Sequence, residues 1–214
     1  MTVLNRLDSQ RFIDTYQRVA IALSTLNSNP KPPDPPVLLA QAREQLQDAP
    51  ELLDQAVTHL NQRGLQTDPE VIEGLRRMHL GEWVHLKDLK SGSILIDRQG
   101  LQAYRVTGLT QPLGMITGAS GCLVKTGLCP FAGHILCDGI VIRRVQLGST
   151  LRGEFNDRYR SLKAAGRLHH NPVTAPLWNE SIHGSEQQPR AVRSNASKSG
   201  QRVTSVERGE GLRS

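Results

Sequence analysis

Aromatic side chains make up only 4% of this 214-residue chain, and the hydrophobic fraction is 37%. An ordinary globular chain has ~45–50% apolar residues, so part of this one is expected to lie outside any packed core. Long apolar runs are also missing. The longest near the N-terminus, residues 19–23, is far short of the ~20 residues that span a bilayer. Residues 1–10 lack the apolar stretch of a secretory signal. These absences predict a cytoplasmic protein with no membrane insertion. Three cysteines cannot pair completely, which fits reduced thiols in that compartment.

Signatures of catalysis are lacking as well. The glycine-rich stretch 114–127 holds no GxGxxG, and Lys125-Thr126 follow Val124 where a phosphate loop needs glycine. Gly118-Ala119-Ser120-Gly121 runs into Cys122, where a nucleophile elbow needs another glycine. Glu82, Asp88, Asp97 and Asp138 fall at strand ends and turns, unpaired for acid–base work. A non-enzymatic protein is the expectation.

What is present is strongly divided along the chain. Residues 1–79 carry a net −2, residues 80–150 a net +3 and residues 151–214 a net +5, making up the overall +6. The first part reads as short helices. Phe12, Tyr16, Val19, Leu23 and Leu26 recur at helical spacing behind Asp8 or Ser9 as cap. The proline run 30–36 reads as a stiff spacer. A second helix is predicted over 37–47 and a third after Asp48, with Gly64 placed to stop it. Thr67-Asp68-Pro69-Glu70 marks a fourth start, with Thr67 and Asp68 competing as cap.

Residues 80–148 alternate β-branched and aliphatic runs with glycine-rich turns. Trp83 and His85 alternate with Val84 and Leu86, as a half-buried strand requires. Residues 97–100 form a hairpin turn between the runs 94–96 and 101–107. Residues 115–117, 122–125, 134–137 and 139–147 are predicted to supply further strands. Short strands at close spacing argue for a small antiparallel β-barrel, resembling the Src-homology type. Ser149 or Thr150 can then cap a basic amphipathic helix over 149–170, with Phe155, Tyr159 and Leu162 on one side and His169-His170 closing it. From residue 171 the chain is polar and expected to be disordered. The overall expectation is an α+β protein: helical unit, barrel, basic helix, tail.

Two clusters could carry function. Cys122, Cys129, His134 and Cys137 form a C-x6-C-x4-H-x2-C series, a complete donor set for structural zinc. The competing reading is ordinary buried cysteine, since the spacing lacks a CxxC pair. A reactive thiol at Cys129 with His134 is a third, with no orienting residue to complete it. The second cluster is basic: Arg143, Arg144, Arg152, Arg158, Arg160, Lys163 and Arg167. It could follow a nucleic-acid backbone, as in a ribosome- or RNA-associated protein, yet the aromatic platforms of single-strand readers are scarce. It could equally meet an acidic protein surface or assembly. The protein partner is preferred, engaged through the barrel surface and the basic helix.

Overall fold

The computed structural model describes residues 3–26 and 34–178. Four helices come first: α1 (Arg6–Leu26), α2 (Pro35–Asp48), α3 (Leu52–Gln62) and α4 (Pro69–Arg76). Their stripes fall where helical periodicity puts them, with Phe12, Tyr16, Val19 and Leu23 buried from α1 and Leu26 left exposed. The caps differ from expectation at α1. Asn5 accepts from the Asp8 amide at 3.0 Å and donates back to its carboxylate at 2.6 Å, so the helix begins before Asp8 and Ser9. At α4 it is Asp68, accepting from the amides of Glu70 and Val71, that caps rather than Thr67. Pro35 and Pro36 open α2, where a missing N–H costs nothing. The remainder of the expected spacer lies outside the described residues, except Asp34, which precedes the helix.

The second half of the fold is a seven-stranded sheet. Strands β1 (His79–Leu89), β2 (Gly92–Asp97) and β3 (Ala103–Val106) are followed by the short helix α5 (Leu113–Thr117). After it come β4 (Cys122–Phe131), β5 (His134–Cys137) and β6 (Ile142–Gln146), then α6 (Ser149–Ala164) and β7 (Leu168–His169). The order is β5-β4-β1-β2-β3-β7, with β6 on the other side of β4's first half. All pairings are antiparallel except β3 with β7.

The architecture is mixed α+β, but the closed barrel expected over 80–148 is not reached. The strand path ends at β5 and β7. One isolated parallel bridge, Thr107 with Leu136, draws the chain after β3 toward β5. Thr107 donates to Ile135 O at 2.8 Å and accepts from Cys137 N at 2.9 Å. With β3 only four residues long, a single residue bridges where a ladder would be needed. The sheet curls without closing.

Other expectations are corrected. Residues 115–117 belong to α5, not to a strand; a run of three residues cannot separate the two periods. Gly148 precedes α6 without a side-chain cap, so Ser149 and Thr150 are already helical. His169 pairs in β7 beside Tyr104 instead of closing the helix. Disorder was expected from residue 171, yet residues 171–178 pack onto the sheet. Ala175 is fully buried, and Trp178 Nε1 donates to Arg77 O at 2.6 Å. The rest of the predicted tail lies outside the described residues.

Three apolar cores result. The helices α1–α4 bury one together with Leu109, Cys129, Phe131 and Leu136. Trp83, Leu95, Tyr104, Val124 and Ile135 line the inside of the curl, capped by Ala175. Val84, Leu86, Ile94 and Ile96 face Tyr159 and Leu162 of α6. Strand alternation in β1 and β2 sends neighbours to the two faces. Each fully buried aliphatic or aromatic side chain contributes about 1.5–3 kcal/mol.

Candidate binding surface

The cysteine series does not assemble. Cys122 and Cys129 are seven residues apart on β4, an odd number, so they leave opposite faces. Cys122 joins Cys137 inside the curl, whereas Cys129 faces the helices. His134 is exposed at the start of β5, opposite Phe131, while Cys129 pairs with Leu136. Among the described residues no group of three or more His, Cys, Asp or Glu is set to hold a metal. The thiols are buried and free. Burial, then the charge of Asp138, pushes Cys137 up to about 12 and Cys129 higher than a free thiol. Burial also raises Cys122. The thiolate needed for nucleophilic chemistry is thus suppressed.

A second trio invites a hydrolase reading and does not support it. Asp88 Oδ1 accepts from Ser93 Oγ at 2.6 Å and lies 3.0 Å from His85 Nε2. The carboxylate stands between hydroxyl and imidazole, whereas a catalytic triad needs the imidazole in the middle. Its other contacts explain it. Asp88 Oδ2 accepts the Gly114 amide at 3.0 Å, and Ser93 Oγ takes that of Leu113 at 3.4 Å. Together they satisfy the first free amides of α5.

Between helices and sheet lies an ion pair with no exposure at all. Arg43 Nη1 donates to Asp138 Oδ2 at 3.0 Å and to Ile140 O at 2.6 Å. Asp138 Oδ1 accepts from Thr126 Oγ1 and from the Ile140 amide, both at 3.0 Å. Burial pushes the Asp138 carboxyl up, and Arg43 acts against that rise. A Cβ on Gly127 would stand 2.7 Å from Asp138 Oδ2 and 2.8 Å from Met78 Sδ, so only glycine fits without displacing them. Sequence reasoning passed over Arg43. The signal existed: it sits with Leu38, Ala42 and Leu46 on the stripe that α2 buries.

The basic series is exposed throughout but spread over β6, α6 and the turn after α6, where Arg167 lies. Arg143 reaches Thr117 O at 3.4 Å and Gln146 Oε1 at 2.8 Å. Arg152 reaches Ser120 Oγ at 3.2 Å, and Gln146 donates to the carbonyls of Ser120 and Gly121. These three side chains hold the loop before β4. Arg160 pairs with Asp157 one turn away. Arg144 shares Glu82 with Arg98. Arg158, Lys163 and Arg167 have no ion pair among the described residues. Most of the apolar side of α6 is spent: Tyr159 and Leu162 are buried and Phe155 packs beside them, while Leu151 near its start stays exposed. Lys87 lies 4.5 Å from the Tyr159 ring centre, adding a cation–π contact.

Beside this basic region α2 and β6 bound an apolar groove of about 720 Å³, lined by Val37, Ala40, Glu44, Gln45, Ile140 and Ile142 among others. All five residues of β6 are exposed, and among the described residues the strand pairs with β4 alone. Sequence reading missed the groove because its walls lie about a hundred residues apart in the chain. No helix among the described residues is long and apolar enough to cross a membrane. No protein family matches the chain, and the comparisons with curated proteins and with solved structures found no match either.

Proposed function

We propose that this protein is a non-enzymatic binding module for an acidic protein partner, engaged by the cationic surface that β6 and α6 present. The observation that carries the reading is the exposure of Arg158 and Lys163 on α6 and of Arg167 just beyond it, without ion pairs among the described residues, while Tyr159 and Leu162 of the same helix are buried inside the molecule. Apart from Leu151, 48% exposed near its start, such a helix offers a partner mainly charge. Electrostatic complementarity of this kind sets encounter rate and partner choice more than raw affinity. Nucleic acid is disfavoured by the same surface. Phe155 and Tyr159 are turned into the core, so the region lacks the stacking platforms of single-strand readers. Arg143, Arg152 and Arg160 are engaged within the chain.

The test is fluorescence anisotropy of labelled polyglutamate and labelled single-stranded RNA, titrated with the full chain at two salt concentrations. Polyglutamate is expected to bind, weaken with salt, and bind about tenfold less tightly to an Arg158→Glu/Lys163→Glu variant. Tighter RNA binding with a steeper salt slope would transfer the proposal to nucleic acid.

A further inference from the structure

We infer that the groove between α2 and β6 seats one large apolar side chain of an extended acidic segment in that partner, with flanking carboxylates reaching Arg144 and Arg98. This rests on the protein-binding reading above and adds a specific anchor to it. Apolar surface is exposed here: Val37 is 47% exposed and Ile142 36%, with Val145 at 57% farther along β6. The groove's volume of about 720 Å³ is ample for a single side chain, by comparison with the ~300–1,000 Å³ clefts that hold whole small ligands. A side chain entering it would remove Val37 and Ile142 from water together.

Charge at the rim points to the sign of the segment. Register places Glu82, Lys125 and Ile142 in one row across β1, β4 and β6. Lys125 Nζ neutralises Glu44 of the groove wall at 2.6 Å. Glu82 serves two guanidiniums, Arg98 at 2.8 Å and Arg144 at 4.0 Å, so positive charge is left over. The ladder shifts register between Leu123 and Val124, which pair with Val145 and Arg143. Arg144 is therefore the extra residue of a bulge, a device that re-aims a side chain. An extended segment could also add main-chain hydrogen bonds along the unpaired edge of β6.

Other occupants fit less well. A second copy pairing antiparallel through the centre of β6 would set Arg144 against itself or against Arg143, and like charges opposite one another are destabilising. A nucleic-acid backbone would meet the arginines and leave the apolar wall bare.

The full chain would be titrated into a fluorescein-labelled peptide with one central leucine flanked by glutamates, and into the same peptide with serine for leucine. A Val37→Ser/Ile142→Ser variant is measured alongside, its folding checked by thermal unfolding. Both positions are partly exposed, and neither change alters charge. The leucine peptide is expected to bind about tenfold or more tightly than the serine peptide, and the variant to erase that preference. Equal binding of the two peptides would overturn the groove assignment while leaving an acidic partner in place. A preference that persists in the variant would overturn it too. Binding of neither peptide at low salt would overturn both readings.

Discussion

Arg43 and Arg144 carry the same guanidinium in opposite surroundings. Arg43 lies in the seam between α2 and the sheet, without exposure, bonded to Asp138 and Ile140 O. Arg144 lies on an edge strand, exposed, 4.0 Å from a carboxylate it shares with Arg98. In the seam the charge has been taken out of water, so its partner is indispensable and the pair acts as structure. On the edge the charge keeps its hydration and contributes little to stability, so it is available to a partner. The pair in the seam need not stabilise the fold relative to apolar residues of the same shape, because desolvation offsets much of the attraction. It links α2 to the chain after β5 and, through Thr126, to β4.

The largest effect is expected from breaking the seam on one side only. Arg43→Met leaves Asp138 buried and uncompensated, at about 3–5 kcal/mol in equilibrium denaturant unfolding. The double variant Arg43→Met/Asp138→Leu should lose less than the sum of the singles, since the charge that needs a partner is gone. If the losses simply add, Arg43 and Asp138 are not coupled and the seam charge does not depend on its partner.

A smaller effect is expected from crowding the seam while keeping its charges. Gly127→Ala must push aside the Asp138 carboxylate or Met78, at about 1–3 kcal/mol. An unchanged thermal midpoint would mean that the seam has slack.

Intermediate between the two arginines is Arg11, which bridges Asp68, Asp8 and Glu70 at about one-third exposure. Burial of the Asp68 carboxyl would raise it, but Arg11 and the amides of Val71 and Glu70 hold it below its usual 3.8. The folded form therefore releases this proton more readily than the unfolded chain does. Its contribution is present above pH 3.8 and lost as the pH falls through the depressed value. Asp68→Asn keeps the cap and removes the charge, so the loss at neutral pH should be under about 1 kcal/mol. Its acid unfolding curve should be flatter than that of the parent. Parallel curves would show that Asp68 titrates alike in both states.

The smallest stability effect belongs to the basic edge. Arg158→Glu/Lys163→Glu should stay within about 0.5 kcal/mol of the parent while weakening polyglutamate. A marked loss of stability would show that these charges serve the fold.

Much of the architecture was legible from short-range pattern. Stripes such as Phe12, Tyr16, Val19 and Leu23 put α1 in place, and the Asp68-Pro69 start put α4 there. Alternation of Trp83 and Val84 gave β1 its two faces. Legibility ended where contacts became long-range. Residues 115–117 were too few to show a period, and their helix is capped by Asp88 and Ser93 from β1 and β2. Residues 171–178 looked too polar to pack, yet the curl offers Ala175 a buried place. The cysteine and basic series were visible as composition, but neither the dispersal of the first nor the internal engagement of Arg143 and Arg152 could be read from spacing.

The sequence by itself determined the longer helices α1–α4 and α6, most strands and the uneven charge, because those follow from periodicities of 3.6 and 2 and from residue type. Tertiary structure alone decided that the sheet stays open, that Arg43 meets Asp138, and that α2 and β6 enclose a groove. Those depend on which distant segments share a face, and local pattern carries no information about that.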